Sequence, residues 1–158
     1  MFLAFGIRTL RISAAIVAAL AINSSAISAS TPITASGTFG PTGAPASITF
    51  RAADGNTIVT ITARPGAFTG TFAGTYSEDL RIVIHSEQST NFAAQLTCRC
   101  TVEGRTGTFT LKLDGTGDAT AFAAHWRIVG ATGELAGLRG EGTLTAPPPT
   151  YSGELHFE

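Results

Sequence analysis

Charge is scarce in this 158-residue chain: only 13% of its residues are Asp, Glu, Lys or Arg, and a single lysine stands among the basic ones. The charges are scattered, with no basic stripe and no interleaving of aromatic and basic side chains. That argues against nucleic acid as a partner, because neutralising a phosphate backbone takes clustered Lys and Arg. The chain also lacks a G-x-S-x-G nucleophile turn, a dinucleotide-binding glycine fingerprint and a phosphate-binding loop. No cofactor is expected. Its two cysteines, Cys98 and Cys100, have no second pair and no histidine on the same face to complete four ligands, so no metal site is expected either.

What is present begins with an export signal. Arg8 and Arg11 form a positive start, residues 12–22 an apolar run, and small residues follow, with no acidic residue before Asp54. This is the layout of a secretory signal peptide over residues 1–29, with cleavage after Ala26, Ser28, Ala29 or Ser30. The apolar run is shorter than the roughly 20 residues a spanning helix needs, so no stable membrane span is expected after cleavage. The protein is therefore expected to be secreted or periplasmic. Without Arg8 and Arg11 the ten basic residues become eight against eleven acidic ones, a net charge of −3.

Residues 30–47 are Thr, Pro, Gly, Ala and Ser with almost no charge, and read as a flexible arm with at most an edge strand near Gly37 to Phe39. From residue 48 to 158 the apolar period is two. Strands are expected over 48–51, 57–64, 68–76, 80–87, 92–103, 107–113, 119–129, 142–145 and 151–157, with turns at 54–56, 103–105 and 114–118. The segment 133–138 is expected as a short helical turn. So many short strands on one small chain should close on themselves, giving an all-β, closed antiparallel barrel of about eight strands.

Parity assigns the faces of that barrel. Phe92, Ala94, Leu96, Cys98, Cys100 and Val102 point inward, as do Phe109, Leu111 and Leu113, and Tyr151, Leu155 and Phe157. The candidate lumen or ligand residues are Phe72, Tyr76, Cys98, Cys100, Phe122, Trp126 and Tyr151. His85, His125 and His156 share their faces with Arg81, Arg127 and Glu154 and are expected on the solvent side. No carboxylate falls on an inward position of a regular strand; Glu78 and Asp79 are placed in a turn. Catalytic residues stay unknown, because general acid–base work wants an ionisable group inside a pocket.

Cys98 and Cys100 sit two residues apart on one face, about 6.7 Å between Cα atoms in an extended strand. Apolar core thiols, a strained disulfide with a bulge near Arg99, and metal ligation are the open readings. Asp114 to Asp118 has oxygens a calcium ion would accept but too few of them, and reads as a hairpin turn.

One run is specific enough to suggest relatives: Gly133-Glu134-Leu135-Ala136-Gly137-Leu138-Arg139-Gly140-Glu141-Gly142, after Trp126 and before Tyr151-Ser152-Gly153-Glu154-Leu155-His156-Phe157. With Gly104-Arg105-Thr106-Gly107-Thr108-Phe109-Thr110-Leu111 it resembles an uncharacterised bacterial family of small β-barrels similar to allene oxide cyclase and, more distantly, dirigent proteins. The resemblance covers about 104–158. It implies a lumen that holds an apolar molecule, and in some such barrels steers its cyclisation or coupling by shape. Related sequences often carry His after the Phe-x-Leu strand, where this chain reads Leu111-Lys112-Leu113-Asp114. No catalytic residue carries across.

Glu134, Arg139 and Glu141 are candidate contacts at the barrel mouth, with Arg139 expected to pair with Glu141 or Glu134. The expected role is binding of a small hydrophobic molecule by an exported barrel. An isomerase or cyclase of the allene oxide cyclase type and a cell-envelope structural or interaction protein are the alternatives, so enzyme status stays open. Homo-oligomerisation is compatible with the sequence.

Overall fold

A computed structural model describes residues 31–158, and the expected signal segment 1–29 lies outside the described residues. Nine antiparallel strands form one sheet: β1 (Ile33–Pro41), β2 (Ser47–Ala53), β3 (Asn56–Gly70), β4 (Ala73–Ser86), β5 (Ser89–Val102), β6 (Arg105–Gly117), β7 (Phe122–Gly133), β8 (Leu138–Ala146) and β9 (Thr150–Phe157). Their order is β1-β9-β8-β7-β6-β5-β4-β3-β2, and a further pairing of β1 with β3 closes eight of them into a hydrogen-bonded ring. Only β2 lies outside that ring.

The closure depends on β3 changing neighbours along its length. Its first half, residues 56–62, pairs with β2; its second half, residues 66–70, pairs with β1. Pro65 sits at the handover, where a missing N–H interrupts neither ladder, and its carbonyl accepts from Thr42 N–H at 2.9 Å. Within the expected arm 30–47, residues 33–41 are thus a paired strand rather than a loose segment. Ile33, Ala35, Gly37 and Phe39 alternate with Thr and Ser, and both edges of β1 are paired. The small Ala and Gly side chains make that alternation faint in sequence.

Three further expectations change. The boundary between β3 and β4 falls at Thr71-Phe72, inside the strand expected over 68–76, and β4 runs straight through Ser77-Glu78-Asp79. The segment 133–138 contains no helix: residues 134–137 form a turn held by Ala136 N–H to Gly133 O (3.1 Å) and Leu138 N–H to Leu135 O (2.9 Å). Finally, β6 extends to Gly117, so the turn is at 118–121, where Asp118 Oδ1 accepts from Thr120 N–H (2.7 Å), Thr120 Oγ1 (2.6 Å) and Ala121 N–H (2.9 Å). Those bonds, led by the Thr120 hydroxyl, lower the Asp118 pKa and use its carboxylate as a turn clasp.

The two ends of the ring differ. At one end the turns 71–72, 103–104 and 134–137 meet the C-terminus, and Phe72 folds into the interior as a plug. Its ring stacks on Tyr151 (4.8 Å between centroids) and meets Trp126 edge-on (5.6 Å) and Phe109 at 5.0 Å. Tyr151 fixes the plug twice, accepting from Phe72 N–H and donating to Thr69 O, both at 2.8 Å. Trp126 donates its indole N–H to Thr143 O (3.0 Å) and lies over Gly142 and Gly153, where a Cβ would stand 2.6 and 2.5 Å from its ring. Gly142 of the specific run and Gly153 of β9 therefore make room for the indole.

Candidate functional site

The other end of the ring is hollow. A cavity of about 390 Å³ opens there, with Leu96, Leu113 and Leu144 lining its depth and Phe39, Ile82, Phe92 and Phe122 lining it toward the opening. Phe122 meets Phe92 edge-on at 5.4 Å and Phe39 at 6.4 Å. Five residues break the apolar wall: Arg64, Tyr76 and Glu78, with Thr90 and Asp118.

Local structure explains why charges occur inside. A bulge between Ile61 and Arg64 shifts the β3–β4 register, with Ala63 at positive φ and its N–H donating to Asp79 Oδ1 at 2.9 Å. One added residue reverses side-chain parity. Val59 and Ile61 face inward before the bulge; Arg64, Gly66 and Phe68 do so after it. On β4 the unbroken alternation carries Tyr76, Glu78 and Leu80 inward. Arg64 and Glu78 then meet as register partners: Arg64 Nε donates to Glu78 Oε2 at 2.6 Å, and Nη2 contacts the same oxygen. Glu78 is 8% exposed, and is the one buried charged side chain among the described residues. The expectation that no strand carboxylate faces inward is overturned here.

Tyr76, 6% exposed, lies over Gly66, its partner on β3, where any Cβ would collide with the phenol ring. Its hydroxyl makes no hydrogen bond to the described residues. No buried side-chain polar atom among them lacks a partner, so this hydroxyl is not sealed in apolar packing but opens on the cavity it lines. Burial, with the Glu78 charge adding to it and Arg64 opposing, pushes the Tyr76 pKa up to about 12. The phenol is therefore a proton-bearing donor at neutral pH.

Of the seven expected lumen residues, Tyr76 and Phe122 line the cavity; Phe72, Cys98, Cys100, Trp126 and Tyr151 are interior but belong to the filled half. The structure joins Cys98 to Cys100, with Cα atoms 5.6 Å apart. The strand contracts rather than bulging: Cys98, Arg99 and Cys100 keep continuous register with Phe109, Thr108 and Gly107.

The three expected mouth residues are away from the opening. Glu134 is at the plugged end, exchanging backbone and side-chain bonds with Thr106 (N–H to Thr106 O, 3.1 Å; Oε2 from Thr106 N–H, 2.8 Å). Arg139 pairs with Glu158 at 3.1 Å instead of Glu134 or Glu141. Glu141 is exposed on the outer face between Arg127 and Glu154. His85, His125 and His156 are also exposed, with His85 Nδ1 2.7 Å from Asn56 Oδ1.

Comparison with known proteins places this architecture. A family model described as a protein of unknown function, DUF3224, matches residues 35–156. The chain belongs to the DUF3224 family. A solved DUF3224 structure from Shewanella oneidensis MR-1, described as a protein with unknown function, superposes with a TM-score of 0.65 at 19% identity. The match covers 81% of this chain and 98% of that one, and the likeness is one of fold. Among curated proteins no match was found. The family match begins inside β1, so the ring-closing strand belongs to the DUF3224 unit.

Proposed function

We propose that this DUF3224 protein is an exported binding protein that holds one small, mainly apolar molecule in the open end of its strand ring. The observation that carries this reading is the cavity of about 390 Å³ walled by Phe39, Ile82, Phe92 and Phe122. Its size falls within the range of small-molecule sites, and its mix of apolar wall with a few convergent polar groups is their usual composition. The hollow half supports ligand binding over a purely structural role in the cell envelope, for which a filled core would be sufficient.

A neutral fluorescent probe such as N-phenylnaphthylamine tests it. The probe should bind with enhanced emission at a one-to-one ratio, and Thr90→Trp, which adds bulk to the cavity lining, should abolish the enhancement while the folded spectrum is kept. Equal binding by Thr90→Trp would remove the cavity from consideration.

Glu78 favours a second reading, in which a barrel of the allene oxide cyclase type uses this cavity as a mould for isomerisation. A carboxylate beside a phenol in an apolar site is a candidate for general acid–base work. Conversion of an unsaturated epoxide to a cyclic ketone by the purified protein, lost in Glu78→Gln, is the expected outcome of that reading.

A further inference from the structure

We propose that the occupant of this cavity is an uncharged molecule bearing one hydrogen-bond-accepting oxygen, a carbonyl above all, and that the Tyr76 hydroxyl receives it. The proposal rests on the binding reading above and names the ligand's chemistry.

Three observations converge on it. The Tyr76 hydroxyl has no partner among the described residues although the side chain is nearly buried, and it opens on the cavity. A ligand that filled the cavity without an acceptor would cut this phenol off from water and leave it unpaired, which is costly, whereas one that supplies an acceptor avoids that loss. Second, the group is a donor rather than a phenolate near neutral pH, because burial and Glu78 both oppose its ionisation. Third, the one cation lining the cavity among the described residues is already matched. Arg64 is held by Glu78 through two nitrogens on one oxygen.

That last point decides the ligand's charge. A carboxylate entering to reach Arg64 would come up against Glu78, and like charges in a poorly solvated site repel strongly. An ammonium group would meet Arg64 in the same way, and the other carboxylate of the wall, Asp118, is already engaged by Thr120 and Ala121 in its own turn. A neutral oxygen escapes both penalties, and the rest of the wall, Thr90 and Asp118 apart, asks only for apolar surface. The ion pair thus excludes charged ligands, while Tyr76 recognises a neutral one.

The test is calorimetric, with three probes sharing a phenylalkyl body: butylbenzene, benzylacetone and phenylbutyrate. Wild-type protein should bind benzylacetone and bind phenylbutyrate more weakly. Tyr76→Phe should weaken benzylacetone about tenfold, one hydrogen bond's worth, and leave butylbenzene at least as tightly bound, which also certifies the fold of the variant. Glu78→Gln, which leaves Arg64 unmatched, should strengthen phenylbutyrate about tenfold or more. Tighter wild-type binding of phenylbutyrate than of benzylacetone overturns the proposal. So does a Tyr76→Phe protein that loses both neutral probes equally, or a Glu78→Gln protein indifferent to the anion. Failure of all three probes to bind the wild type sinks the binding reading itself, and this proposal with it.

Discussion

Arg64 and Glu78 face each other as register partners on β3 and β4, and they do so inside the ring because the bulge after Ile61 reverses the parity of β3. Were the same residues paired regularly, Ala63 would face Glu78, Arg64 would point to solvent, and Glu78 would be an unpaired interior carboxylate. Backbone irregularity and interior charge are therefore one feature of this fold.

Unequal losses are expected from breaking the pair. Arg64→Met leaves Glu78 buried and unmatched and should cost about 2–3 kcal/mol, somewhat less than a fully buried pair because the Arg64 side chain is 28% exposed. Glu78→Gln leaves a cation with access to water and should cost about 1 kcal/mol. Combining Arg64→Met with Glu78→Gln should cost clearly less than the two single losses added. Urea unfolding of the four proteins checks this, and additive losses would show that the two residues do not act as a pair.

Both tyrosines of the chain, Tyr76 and Tyr151, are shifted the same way, which makes a clean titration possible. The Tyr76 phenol ionises near 10 in the unfolded chain and near 12 in the folded one. The stability it contributes is therefore complete below about pH 10 and lost as pH rises through the folded value. Burial moves Tyr151 upward as well. Phenolate absorbance should show no tyrosine ionising at the ordinary value in native protein and two after denaturation. Tyr76→Phe should flatten the alkaline fall in stability.

Regular alternation made much of the ring legible. On β5, β6, β7 and β9 the inward positions Cys98, Phe109, Leu111, Trp126 and Leu155 are all buried. Phe122 and Phe157 are only partly covered, since each sits at an end of its strand. The site was less legible because it depends on interrupted patterns. Ser77-Glu78-Asp79 looks like a polar turn in isolation, yet Tyr76, Leu80 and Ile82 keep one parity across it. Extending that alternation would have placed Glu78 inside. Arg64 had no such signal, as nothing in Thr62-Ala63 announces a bulge. The Glu-Leu-Ala-Gly-Leu run misled differently: Leu135 and Leu138 are buried by a tight turn rather than by a helix.

Gly142→Ala should be among the more damaging single changes outside the cavity. Its Cβ would stand 2.6 Å from the Trp126 ring and 2.6 Å from Gly153 Cα, and the latter is backbone that cannot swing aside. Overpacking of this kind costs about 1–3 kcal/mol or more. Trp126 is the only tryptophan of the chain, so its emission reports the site directly. Wild-type emission should be that of a buried indole, and the variant should show a red shift together with a lower unfolding midpoint.

Cys98 and Cys100 should resist alkylation in native protein without reductant, and mass spectrometry should find no added label. Labelling of both would mean that they are free and accessible. Cross-linking residues only two apart removes little freedom from the unfolded chain, so reduction should lower stability by less than about 2 kcal/mol. A larger loss would point to packing that changes when the sulfurs separate.

Phe72 plugs the closed end of the ring. Its ring is in contact with Phe68, Phe109, Trp126 and Tyr151, and its backbone N–H is held by the Tyr151 hydroxyl. Phe72→Ala should cost about 3–5 kcal/mol, the range for removing a large buried aromatic. The space left would adjoin aromatic side chains already in place, so an apolar probe gains a second place to bind. Titration of the variant with a neutral fluorescent probe should then give a second, saturable phase absent from wild type. Tyr151→Phe distinguishes the plug's packing from its hydrogen bonds: it keeps the stacked ring, loses the bonds to Phe72 N–H and Thr69 O, and should cost about 1–3 kcal/mol without any second phase. A second phase in Tyr151→Phe, or none in Phe72→Ala, would show that the closed end is not sealed by this ring.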